Sequence, residues 1–134
     1  MNKLEGHITE VETNGSLSLV SASVSGGRIF KAIVIENPET ATYLKHGIKI
    51  GLLFKETEVI LSTTENAGVS LQNKIPGTIQ NIETGKLLSR IELETQAGTI
   101  VALISSSAVQ ELGLKEGVEV VAMVKLNEIM LSET

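Results

Sequence analysis

Ser105, Ser106 and Ser107 stand in a row just before a stretch that reads as a short helix, and Lys125 closes a later apolar strand, with Lys55 in the equivalent place seventy positions earlier. Free amides and hydroxyls at a helix start, joined by a cation, are what an anion needs: several donors, positive charge and no acceptor to repel it. Three serines before a helix also serve as plain caps and a turn, and strand-end lysines as solvated termini, so residue types alone leave both readings open. His7 and His46 are too few and too separated for a metal centre or a Ser–His pair and read as surface histidines. The absence of cysteine excludes disulfides and thiolate chemistry. Gly26-Gly27 is a turn, because no Gly-Lys-Ser/Thr follows to make a phosphate loop. The chain is not expected to be an enzyme.

The frame that must position these residues is written twice. At an offset of 70, Leu44/Leu114, Gly47/Gly117, Lys55/Lys125, Glu58/Glu128, Leu61/Leu131, Ser62/Ser132 and Thr64/Thr134 are identical, and the apolar positions between them mostly agree in type. The duplication predicts one unit over 1–64, a polar linker over 65–70 and a second unit over 71–134. Units this small lie near the lower limit for an independent core, so each is expected to lean on its twin or on another subunit.

Within each unit, apolar alternation predicts five strands. Leu4, Gly6 and Ile8 keep one phase that Val11 breaks; Ile75, Gly77 and Ile79 do the same before Ile82. A phase break recurring at equivalent places predicts a β-bulge in each first strand. The second strands are expected over Leu17 to Val24 and Leu87 to Glu94, with hairpins at Gly26-Gly27 and Ala97-Gly98 leading to third strands. A short helix should follow in each unit, started by Asn37-Pro38 in the first and by a Ser107/Gln110 capping box in the second. Strand four alternates strictly as Ile48, Ile50, Leu52, Phe54 and as Val118, Val120, Ala122, Val124, with Leu53 or Val121 and Met123 making the opposite face apolar as well. Three strands, a short helix and two more strands, with the first strand bulged, predict an all-β chain of two tandem five-stranded OB-type Greek-key barrels, each with one short helix.

A formal charge of −5 over 134 residues, with scattered lysines and arginines, suits no phosphate backbone, and Phe30, Phe54 and Tyr43 are the only aromatics available for base stacking. No nucleic-acid partner is expected. No run approaches the roughly 18 apolar residues of a membrane span, and Met-Asn-Lys-Leu-Glu-Gly-His lacks a signal peptide's apolar core, so neither membrane insertion nor export is expected.

Two stretches carry a family resemblance. Ser70-Leu71-Gln72-Asn73-Lys74-Ile75-Pro76-Gly77, and Glu111-Leu112-Gly113-Leu114-Lys115-Glu116-Gly117 continuing to Leu131, resemble the molbindin (Mop, or TOBE-type) domain. The likeness covers the second half directly and the first through the repeat. It implies a cytoplasmic protein that takes molybdate or tungstate as ligand, with no cofactor, at interfaces within a homo-oligomer; the same pair of domains resembles the sensing half of molybdate-responsive regulators, and an assembly module that has lost the oxyanion is the remaining alternative. Carried over by motif, the resemblance implies an oxyanion held by Ser70, Gln72 and Asn73, by Ser105, Ser106 and Ser107, and by Lys125, with Asn2 and Lys55 left in the first copy. The family's arginine is Gln72 here, which removes a bidentate fork and a full charge and implies weaker binding. A second helix-start hydroxyl of the family is Ala108, and the first-copy equivalents of Ser105 and Ala108 are Ile35 and Pro38.

Overall fold

A computed structural model describes residues 1–133; Thr134, the last residue of the expected second unit, lies outside them. The period-2 pattern produces ten strands: β1 (Asn2–Asn14), β2 (Leu17–Val24), β3 (Ile29–Val34), β4 (Lys49–Phe54), β5 (Ile60–Ser62), β6 (Asn73–Thr84), β7 (Leu88–Thr95), β8 (Gly98–Ser105), β9 (Glu119–Val124) and β10 (Met130–Glu133). They form two five-stranded antiparallel sheets.

The repeated phase break is a bulge in both halves. On β1 the pairing steps from Ile8 opposite Ala22 to Glu10 opposite Ser21, and on β6 from Ile79 opposite Leu93 to Asn81 opposite Glu92. The backbone at the bulge is used identically in each half. Gly47 N–H donates to the Ile8 carbonyl at 2.7 Å and Ile8 N–H to Ile48 at 2.8 Å, while Gly117 donates to Ile79 at 2.8 Å and Ile79 to Val118 at 3.0 Å. Gly47 and Gly117 lie at φ 88° and 86°, a region that disfavours any side chain.

The sheets do not coincide with the repeats. Their strand orders are β10-β4-β1-β2-β3 and β5-β9-β6-β7-β8, so each sheet takes four strands from one repeat and its fifth from the other. After β4 the chain passes through a 3₁₀ turn, Glu56–Glu58, packed on β8, and sets Leu61 opposite Ala122 of β9. The matching turn after β9, Leu126–Glu128, packs on β3, and β10 then sets Leu131 opposite Leu52 of β4. The exchange fuses the interiors: Leu4, Ile8, Phe30 and Phe54 belong to the same apolar cluster as Ile75, Ile79, Ile91 and Leu93. Val121 and Met123, on the second face of β9, are buried as their apolar character predicts.

Local helix structure departs from expectation in both halves. In the second, the helix α1 (Ser106–Glu111) forms, but its cap is Ser105, whose Oγ accepts from Ala108 N–H at 3.2 Å, and not Ser107 with Gln110. In the first, Asn37 caps as expected, its Oδ1 accepting from Glu39 and Thr40 N–H at 2.9 and 3.0 Å, yet only turns follow. Thr40 and Thr42 are poor helix formers, and a helix of under two turns has no cooperativity to overcome them. The Tyr43 hydroxyl instead donates to the Glu36 carboxylate at 2.6 Å and draws the segment together.

Candidate functional site

Asn73 lies opposite Val124 at the end of the antiparallel pair, and Gln72 and Lys125 are the next residues beyond it on the two strands. In the first half Asn2 lies opposite Phe54, with Lys55 next. Both lysines are exposed and open the 3₁₀ turns, their carbonyls accepting from Glu128 N–H at 2.9 Å and Glu58 N–H at 3.0 Å. Among the described residues neither ammonium has an ion-pair partner. Two lysines at equivalent strand ends therefore keep their full charge available. Ser70 and Gln72 are exposed on the approach to Lys125.

The two asparagines are different. Asn73 Oδ1 accepts from the Lys31 N–H at 2.7 Å while its Nδ2 donates to the Lys31 carbonyl at 2.8 Å. Asn2 does the same to Val101, at 2.8 Å in both directions. Each is almost wholly buried. Their oxygens are engaged with β3 and β8, the outer strands of the two sheets, where a backbone edge lacks a neighbouring strand and a carboxamide can stand in for one. The sequence marked both residues as ligands and did not show this clamp; the signal was there in two asparagines at equivalent starts of bulged strands.

The three serines separate by role. Ser105 caps α1. Ser106 Oγ donates to the Gly85 carbonyl at 2.7 Å and lies 2.8 Å from Ser89 Oγ, which ties the helix start to the β6–β7 turn. Ser107 is exposed, and its hydroxyl has only a long 3.4 Å approach to Ser105. Of the first three helical N–H groups, that of Ser106 goes to the Leu87 carbonyl and that of Ala108 to Ser105 Oγ, so Ser107 offers both its hydroxyl and its N–H. The turn after Lys55 packs on β8, the strand that Ser105 ends, whereas the turn after Lys125 packs on β3 of the other half. No hydrogen bond joins the serines to either lysine among the described residues. No cluster of three His, Asp or Glu residues suited to a metal ion occurs among them either.

Residues 70–131 match the family profile of the TOBE domain. Over 64 residues the chain is 33% identical to molybdenum-pterin-binding protein 1 of Clostridium pasteurianum, spanning 94% of that protein and 47% of this one. The chain belongs to the molbindin (Mop/TOBE-type) family. Likeness within the family extends beyond one repeat: the crystal structure of ModG, a cytoplasmic molybdate-binding protein, with molybdate bound, superposes with a TM-score of 0.92 at 27% identity over 99% of this chain and 96% of its own. The molybdenum transport protein ModE of Herbaspirillum seropedicae is 25% identical over 98% of this chain, which spans about half (49%) of ModE's length. These relatives are binding or transport proteins by name, and the paired five-stranded sheets are those expected of tandem OB-type domains. No helix among the described residues is long and apolar enough to cross a membrane.

Proposed function

We propose that this chain binds molybdate or tungstate reversibly in the cytoplasm, for storage or homeostasis and without turnover, as a homo-oligomer whose interfaces hold the ligand. Its two units of duplication are 1–64 and 71–134, joined by 65–70. The observation that carries this reading is the full-length likeness to ModG, whose crystal structure has molybdate bound. The oxyanion is met by Lys125 with Gln72 and Ser70 at one strand end, by the outward hydroxyl and N–H of Ser107 behind the Ser105 cap and the Ser106 tie, and by Lys55 in the first half. Asn2 and Asn73 shape this ground from behind.

Assembly is supported by apolar surface at equivalent ends of the two halves: Ile35 is 81% exposed near Leu17, and Leu87 is 79% exposed beside Leu88. Leu87 and Leu88 flank the start of α1, and apolar side chains so exposed favour burial against another copy. Neither nucleic acid nor a membrane belongs to this reading. The ModE likeness favours a second one, in which the same pair of sheets is the ligand-sensing module of a regulator. Calorimetric titration of molybdate into wild type and Lys125→Ala tests the primary proposal. Saturable binding that weakens at least tenfold in the variant supports it; equal affinities remove Lys125 from the site.

A further inference from the structure

Away from these strand ends, the duplicated fold makes the same cleft twice and lines it with opposite charges. In the first half, His7 on β1 lies directly opposite Lys49 on β4 and directly opposite Ser23 on β2. Directly paired residues project from the same face of a sheet. Ile8, Ala22 and Ile50 are buried on the other face, so this row points outward. It borders a cleft of about 570 Å³ whose floor is Gly6. A Cβ on Gly6 would stand 2.5 Å from the Ser23 carbonyl oxygen, so only glycine fits there. In the second half the equivalent row is Glu119, Thr78 and Glu94 over Gly77, around a cleft of about 520 Å³. Its one basic residue, Arg28, is ion-paired to Glu65 at 2.6 Å.

Sheet geometry therefore demands neither sign of charge at these positions, since the same strands form with carboxylates as with bases. In the first half the choice leaves a cation and an imidazole side by side without partners. Lys49 and His7 are cross-strand neighbours, and the side chain of neither has a hydrogen-bond or ion-pair partner among the described residues. Glu5, which also borders the cleft, is drawn to Lys3 at 3.5 Å. A bound anion would meet the Lys49 ammonium and an imidazole nitrogen of His7, and Ser23 supplies a hydroxyl donor beside them.

We propose that the cleft formed by Lys49, His7 and Ser23 over Gly6 binds a phosphate group, either free phosphate or the end of a small phosphate monoester, independently of the oxyanion ground at Lys125. A cleft of this size is larger than one tetrahedral anion and falls within the range of small-ligand sites. The mirror cleft, with Glu94 and Glu119, excludes the same group by charge.

Amide-resolved NMR titration of the intact protein with inorganic phosphate, and separately with glycerol 3-phosphate, tests this with an internal control. Saturable shifts of Gly6, His7 and Gly47 are expected while Gly77, Thr78 and Gly117 stay still. The ligand that saturates at lower concentration identifies free phosphate or monoester as the preferred source. Lys49→Ala, an exposed substitution, should weaken binding at least tenfold, and Lys125→Ala should leave it unchanged. Equal response of both clefts, retention of affinity in Lys49→Ala, or no saturable shift with either ligand overturns the proposal.

Discussion

The buried carboxamide of Asn73 closes a two-bond ring on the backbone of Lys31, accepting at 2.7 Å and donating at 2.8 Å across a sequence distance of forty-two residues. Replacing it with alanine leaves a partly buried N–H and carbonyl unpaired, a loss of about 1–3 kcal/mol. Denaturant unfolding of Asn73→Ala, and of Asn2→Ala for the matching clamp on Val101, should show this loss. Asn73→Asp should not restore stability, because a carboxylate can accept from Lys31 but cannot donate to it.

The exchanged strands predict that the chain survives a cut. With β5 paired to β9 and β10 to β4, a protease site placed in the exposed 63–70 segment should yield two fragments that stay together on gel filtration. Separation of the fragments under native conditions would show that the strands pair within their own repeats. Leu61→Ala, which empties a buried position on the exchanged β5, should cost about 2–5 kcal/mol of stability in the uncut chain.

Tyr43 is the only tyrosine, so its titration can be followed by absorbance without interference. Burial first, and then the hydrogen-bonded and negatively charged Glu36, raise its pKa far above the ordinary value. A raised folded-state pKa means that folding favours the protonated phenol: this stabilisation is complete below the unfolded pKa of about 10 and is lost as pH climbs beyond it. No phenolate signal should develop at pH 10 in the native protein, whereas Glu36→Gln should bring ionisation to lower pH. A native titration centred near 10 would contradict the Glu36 contact.

Restoring the family's arginine should strengthen the site. Gln72 precedes Asn73, whose strand partner Val124 precedes Lys125, and it carries no charge of its own; a charged hydrogen bond contributes about 1.5–3 kcal/mol. Gln72→Arg is expected to tighten molybdate binding by roughly ten- to a hundredfold. Calorimetry of this variant against wild type measures it, and unchanged affinity would place the ligand away from the start of β6.

Much of the fold was legible because it is written in alternation. The bulges at Ile8 and Ile79 show as phase breaks, and the turn glycines Gly47 and Gly117 as identities. The strand exchange was not legible. Leu61 and Leu131 are the same residue in the same setting, so a fifth strand fits either sheet equally well in sequence, and only the course of the 3₁₀ turns decides between them. The missing first-half helix turned on Thr40 and Thr42 outweighing a sound cap at Asn37. At the site, the strand-end lysines and the serines were visible as chemistry-bearing types. What each serine does was not, because the partners of Ser106, Gly85 and Ser89, come from a turn and a strand about twenty residues away. The asparagine clamps were hidden for the same reason, each reaching across to the opposite repeat.

The central claim is that copies of this paired-sheet chain hold an oxyanion. Molybdenum content per chain, determined by elemental mass spectrometry on protein equilibrated with molybdate and collected as the assembled species from gel filtration, tests it most directly. A fixed, saturable ratio of molybdenum to chain in a homo-oligomer, falling in Lys125→Ala, is the result predicted. A monomer carrying no molybdenum at saturating concentration would contradict the account.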